Sequence, residues 1–160
     1  MTAAFDPTTI STEVRTSIDV PVTPDRAFEV FTKGMNSWWN RSHHLLEGEL
    51  KDIGADPFVG GRMWEENDAG DVCVWGRVLV WDPPSTFAFA WLIGTDWTVP
   101  KPDAVGSRVT VTFSPLADGT HVELVHDQLD AHGPGWEGIA AAVGGDGGWP
   151  GGLRQFAAEC

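Results

Sequence analysis

The stretch VCVWGRVLVW, residues 72–81, sets one cation among large apolar side chains. By strict strand alternation Arg77 shares a face with Cys73, Trp75, Leu79 and Trp81. A guanidinium on that face would anchor a ligand carboxylate or phenolate through paired N–H donors. The alternative is that the face is the outer one, with Arg77 solvated or paired with Glu65 or Glu66. His126 is the second candidate. In HVELVH it falls with Val122 and Leu124 on an apolar face, where an imidazole serves either as an acid or base or as a hydrogen-bonded wall residue. Glu65, Glu66, Asp68 and Asp71 flank the turn Asp68-Ala69-Gly70 and read as solvated charge. Adjacent His43 and His44 cannot share a helical face as ligands, and no cysteine pair stands near them, so no metal-site spacing appears. There is no nucleophile elbow, phosphate-binding glycine loop or HExxH motif. No cofactor, metal or catalytic residue is assigned.

The aromatic content carries more. The chain has nine Trp and eight Phe but no Tyr. Indoles stack on planar ligands and offer an N–H to a polar edge, and packing so many into one small core is hard. The hairpin GRVLVWDPPSTFAFAW, residues 76–91, is apolar on both pleat faces, so its second face is either covered by protein or looks into a hollow. Asp82-Pro83-Pro84-Ser85 makes its turn, and Phe87, Phe89 and Trp91 share a face of the second strand.

Bulk numbers narrow the classes. A length of 160 residues suits one domain, 1–160, with a loose arm over 1–11. The net charge of −13, with three Lys and seven Arg, offers no basic patch for nucleic acid or anionic membrane. Two cysteines, Cys73 and Cys160, suggest thiols in a reducing cytoplasm. No signal peptide or membrane span is expected. An acidic domain with exposed Trp could dimerise.

These side chains need elements to hold them. A half-buried strand is expected over Thr12–Val20. A helix follows with Thr23 as N-cap and Pro24 at its first position, ended by Gly34. A short helical turn covers Asn36–Trp39. Strands are expected over Leu45–Ile53, Arg62–Asn67, Val72–Trp81, Thr86–Ile93, Arg108–Phe113 and His121–His126. A short helix over Trp136–Val143 and an amphipathic one from Trp149, with Leu153 and Phe156 inward, close the chain. Strands in a meander with helices at the ends make an α+β fold, and one short helix is too narrow to fill a seven-stranded concavity.

The segments VTPDRAFEVFT, SWW, GGRMWE, GRVLVWDPPSTFAFAW, SRVTVTFSPLADGTHVELVH and GWPGGLRQF together resemble the SRPBCC (START-like) superfamily, in the branch similar to the C-terminal domain of the heat-shock-protein-90 ATPase activator. The resemblance covers about Glu13 to Phe156. It implies a helix-grip fold: a curved antiparallel sheet wrapped around a C-terminal helix, with a hydrophobic cavity between. SWW and GWP also resemble an enediyne-resistance member. By that likeness Gly94, expected at the cavity mouth, is a candidate for sacrificial backbone cleavage; otherwise it only ends a strand. The sequence departs from the family in AAVGGDGGWPGG, whose glycines shorten the last helix and widen the mouth beside it.

The expected activity is binding or sequestering a hydrophobic, aromatic or polyketide-like molecule, with antibiotic self-resistance as one use. A polyketide cyclase or hydrolase and a chaperone-ATPase-stimulating protein are the alternatives, the chaperone partner being the less favoured. The candidate ligand contacts are Trp38, Trp39, Trp64, Trp75, Arg77, Trp91, Phe113, His126, Trp149, Leu153 and Phe156.

Overall fold

The computed structural model describes residues 11–160; the arm expected before Ser11 lies outside the described residues. Strand β1 is Val14–Val20. Helix α1, Pro24–Thr32, starts on Thr23, whose hydroxyl accepts from the Arg26 N–H at 3.3 Å, and it buries Ala27, Phe28, Val30 and Phe31. Helix α2 is the single turn Met35–Trp38. The strands β2 (Leu50–Ala55), β3 (Arg62–Asn67), β4 (Val72–Asp82), β5 (Thr86–Trp91), β6 (Ser107–Leu116) and β7 (Gly119–Asp127) follow. A 3-10 turn at Leu129–His132 leads to α3, Trp136–Gly144, and α4, Trp149–Glu159.

All seven strands form one antiparallel sheet in the order β1-β7-β6-β5-β4-β3-β2, a meander closed by the return of β7 to β1. The sheet curls, and α1, α2 and α4 fill part of its concave side. This is the α+β helix-grip architecture. The core is aromatic at one end: Phe28, Phe31, Phe87 and Phe113 pack with centroids 5.3–6.4 Å apart, and Phe156 of α4 joins them against Phe31 at 5.3 Å.

Two irregularities in β4 govern which residues face inward. The pairing with β3 shifts between Met63–Gly76 and Trp64–Val74, and the pairing with β5 shifts between Val78–Phe89 and Val80–Ala88. Each bulge inserts one residue and reverses the alternation beyond it. Cys73 and Trp75 are therefore buried, then Val78, and then Trp81 turns inward onto Phe28 and Phe87. Leu79 and Val80 are exposed. So is Arg77, which unbroken alternation placed beside Trp75; the first bulge turns it to solvent.

Expectation and structure also differ at the edge. Strand β2 begins at Leu50, not Leu45, and Leu45 and Leu46 lie in the loop before it. On β3, Met63, Glu65 and Asn67 point inward, while Trp64 lies on the outer face over Gly54 of β2. A side chain at Gly54 would meet the Trp64 ring at 3.1 Å.

Gly76 sits at the first bulge, opposite Met63 on one side and Trp91 on the other. A methyl there would run into the Ala90 carbonyl oxygen and press on the Met63 side chain at 3.0 Å. Gly76→Ala is expected to destabilise the fold by about 1–3 kcal/mol, a cost typical of overpacking, read by urea denaturation.

Candidate functional site: a Trp-walled cavity

Between the concave sheet and α4 lies a cavity of about 600 Å³. Its inner wall is built from β3, β4 and β5 through Glu65, Trp75 and Trp91, from α2 and the residue after it through Trp38 and Trp39, and from α4 through Trp149. Four of these indoles close a circuit. Centroids are 5.7 Å apart from Trp39 to Trp75, 5.7 Å from Trp75 to Trp91, 5.8 Å from Trp91 to Trp149 and 6.0 Å from Trp149 back to Trp39. Three of the four contacts are edge-to-face, the favourable arrangement for quadrupolar rings. The rings brace one another along this wall.

The mouth is polar and exposed. Ser42, His43, Asp146 and Arg154 border it with Trp97, which holds a left-handed φ of 57° on the loop after β5. The glycine run between α3 and α4 forms one side of the rim. Gly147 has open space where a Cβ would stand, whereas a Cβ at Gly148 would collide with the Val143 carbonyl. The chain reverses here with the Gly148 N–H donating to the Gly145 carbonyl at 2.9 Å, so α4 begins late, at Trp149.

The indole N–H groups can be accounted for one by one. Trp38 donates to the Val30 carbonyl at 3.1 Å, Trp39 to the His43 carbonyl at 2.8 Å, and Trp149 to His126 Nδ1 at 3.0 Å. The N–H groups of Trp75 and Trp91 are buried and have no partner among the described residues. Leaving such a donor unpaired costs about 1–3 kcal/mol.

Glu65 is buried at 3% exposure, contrary to its reading as solvated charge. The Leu45 N–H donates to both of its oxygens, at 2.9 and 3.0 Å, and the Leu46 N–H donates to Oε2 at 3.2 Å. The loop ahead of β2 thus clamps the carboxylate in the cavity wall. Cys73, its cross-strand partner, has its thiol pushed up to about 11, by burial first and by the Glu65 charge second.

His126 lies behind this wall, fully buried. Burial, and then the neighbouring His132, push its pKa down to about 3, so the ring is neutral. Its Nδ1 accepts from Trp149, so its proton is on Nε2, 2.6 Å from Ser107 Oγ. Ser107 must then give its own proton to His132 Nε2 at 2.8 Å. The result is a one-way chain, Trp149 to His126 and His126 to Ser107 to His132. His126 is fully occupied as a support for Trp149, with no lone pair left to act as a base.

Of the sequence candidates, Trp38, Trp39, Trp75, Trp91 and Trp149 come together in the cavity wall. His126 stands one layer behind. Phe113, Leu153 and Phe156 are buried in the core, outside the lining, and Arg77 and Trp64 lie on the outer face. Gly94 is half-buried just after Ile93 of the wall, with only Asp96 near its missing Cβ. Glu65, Ser107 and His132 were not selected from sequence. The usable signal for Glu65 was the Met63-Glu65-Asn67 alternation, with Gly54 making room for Trp64 outside. No group of three His, Cys, Asp or Glu that could hold a metal, and no helix long and apolar enough to cross a membrane, occurs among the described residues.

The depressed His126 pKa fixes a pH dependence. The unfolded ring binds a proton below its ordinary value of 6.5, and the folded one only near 3. Its contribution to stability is therefore whole above 6.5 and is lost as pH falls towards 3, at up to about 1.4 kcal/mol per pH unit. Thermal melts between pH 7 and pH 4 are expected to fall more steeply for the native protein than for His126→Phe, which has no ring to titrate.

Residues 21–159 match the family model described as Activator of Hsp90 ATPase homolog 1-like protein. No curated protein matches. Among solved structures, the anthrahydroquino-gamma-pyrone synthase Txn09, complexed with SUM, is 40% identical, with 94% of this chain and 97% of that one covered and a TM-score of 0.67. The self-sacrificing resistance protein CalC from Micromonospora echinospora is 26% identical, with 92% of each chain covered and a TM-score of 0.60. The Aha1 dimer from Colwellia psychrerythraea, at 14% identity over 91% of this chain and 92% of that one and a TM-score of 0.60, shares the fold. With nearly its whole length matched by one model, this chain belongs to the Activator of Hsp90 ATPase homolog 1-like family.

Proposed function

We propose that the chain binds a planar, polycyclic aromatic molecule of polyketide type, edged with carbonyl or phenol oxygens, in the Trp-walled cavity. The observation that carries this reading is the pair of buried indole N–H groups, on Trp75 and Trp91, that have no partner among the described residues. A ring oxygen of the ligand is the acceptor they lack. Flat aromatic walls favour a flat aromatic guest, and a volume of about 600 Å³ suits one small molecule.

Among the activities open to such a site, a ring-forming reaction is the one we favour. The likeness to Txn09, at 40% identity over almost the entire chain, supports it, because the product in that enzyme's name is a fused-ring molecule bearing oxygens. Protective sequestration, supported by the likeness to CalC at 26%, uses the same binding event without turnover. A chaperone-stimulating role is suggested by the description of the matching family, but it gives the cavity and its two free donors nothing to do.

Titrating intrinsic tryptophan fluorescence with aromatic polyketides, flavonoids, enediynes and fatty acids tests the reading. Saturable quenching by polycyclic quinones at micromolar concentration is expected. Trp75→Phe, which keeps a ring and removes one donor, is expected to weaken that binding about tenfold, the equivalent of one hydrogen bond. No saturable response to any polycyclic aromatic would overturn the proposal.

A further inference from the structure

The cavity's interior holds few polar groups, and their placement narrows the ligand further. The exposed mouth carries most of the polar lining, among it Ser42, His43, Asp146 and Arg154. Deep in the wall stand Glu65 and the two unpaired indole N–H groups. Indole nitrogen is a donor only, whereas a carboxylate accepts at about four lone-pair positions. Two backbone N–H groups leave part of the Glu65 capacity free. Glu66 next to it takes Lys51 at 3.8 Å, whereas Glu65 makes no ion pair among the described residues. The sheet sets these groups in a diagonal row. Glu65 of β3 pairs with Cys73 of β4, Trp75 is the next inward residue of β4, and Trp91 of β5 pairs with Gly76. Adjacent strands lie about 4.8 Å apart and the row also climbs three residues along β4, so its backbone positions span roughly 14 Å.

Resting on the cavity reading above, we infer that the site recognises a hydroxyquinone: Glu65 accepts from a phenol hydroxyl at one end of the ring system, and the Trp75 and Trp91 N–H groups donate to a ring carbonyl oxygen. Other ligand chemistries fit worse. A cationic amine would satisfy Glu65 but would face two N–H dipoles with their positive ends towards it. A fatty-acid carboxylate would satisfy the indoles but be repelled by Glu65. A bare hydrocarbon would leave all three groups unpaired, and buried unpaired polar groups are what make polar specificity steep. A neutral phenol with carbonyls in reach satisfies donor and acceptor together.

The test compares equilibrium binding of 2-hydroxy-9,10-anthraquinone, its 2-methoxy ether, unsubstituted 9,10-anthraquinone and 2-hydroxyanthracene, at mildly acidic pH where the phenol is neutral. In the native protein the hydroxyquinone is expected to bind about tenfold or more tighter than the ether, which cannot donate. Glu65→Gln keeps an oxygen for the Leu45 and Leu46 N–H groups but turns an NH2 group towards the phenol. It is expected to bring the hydroxy and methoxy compounds within about twofold of each other while still binding the parent quinone. Trp75→Phe and Trp91→Phe are expected to shrink the preference for the hydroxyquinone over 2-hydroxyanthracene, which has no carbonyl. Equal binding of hydroxy and methoxy compounds to the native protein overturns the inference but leaves the cavity reading standing. Failure of every compound to bind overturns both. If Glu65→Gln does not fold, judged by its circular dichroism melt, the native-protein comparison decides alone.

Discussion

The inner wall of the cavity depends on the two bulges of β4. An eleven-residue strand with regular alternation would direct its odd-numbered residues to one face throughout. That would put the Arg77 guanidinium in the wall beside Trp75 instead of on the outer face where it stands. The first bulge avoids this by reversing the strand after Trp75. The second restores Trp81 to the core, where it packs edge-on against Phe28 and Phe87 at 5.2 and 5.6 Å. Extra twist accompanies each inserted residue, and the curl that makes the sheet concave follows from the same irregularities that sort its side chains.

The aromatic residues then divide into two bodies with different work. Phenylalanines from α1, β5 and β6 with Phe156 of α4 make a dry core that needs no polar accounting. The indoles make a braced cluster in the cavity wall, and each indole brings one N–H that must be placed. Trp38 and Trp39 spend theirs on backbone carbonyls near α2, which fixes the α2 turn against the wall. The chain has no Tyr, so the cluster carries donors without matching hydroxyl acceptors. The side-chain acceptors of the interior are His126, which takes the Trp149 N–H, and Glu65 of β3, whose carboxylate is clamped by the Leu45 and Leu46 N–H groups of a loop.

Much of the scaffold was legible in the sequence. Thr23-Pro24 marked the start of α1, Gly144–Gly148 marked the late start of α4, and the alternations of β6 and β7 showed their inward faces directly. Those signals are local, and local chemistry decides them. Periodicity fails where one inserted residue changes the phase, as at Arg77, because a bulge leaves no mark in composition. It failed at β3 for a different reason. Trp64 looked inward by its hydrophobicity and Glu65 outward by its charge, yet Gly54 offers the indole a shelf outside, and two backbone N–H groups 19 and 20 residues away make the carboxylate tolerable inside. The Ser107–His126–His132 chain joins side chains 19 and 25 residues apart through sheet register and a 3-10 turn, which no short-range pattern reports.

The start of α4 has an unusual anchorage. Its N-cap is Gly148, with no side-chain hydrogen bond, so of the ordinary means of fixing a helix start only the first-turn proline, Pro150, is present. The first residue, Trp149, is instead held from across the fold by His126 of the sheet. In effect the sheet caps the helix. Protonating that imidazole would turn its acceptor nitrogen into a donor and release the helix end and the cavity wall in the same event, so the shape of the site and the attachment of its last helix are one mechanical unit.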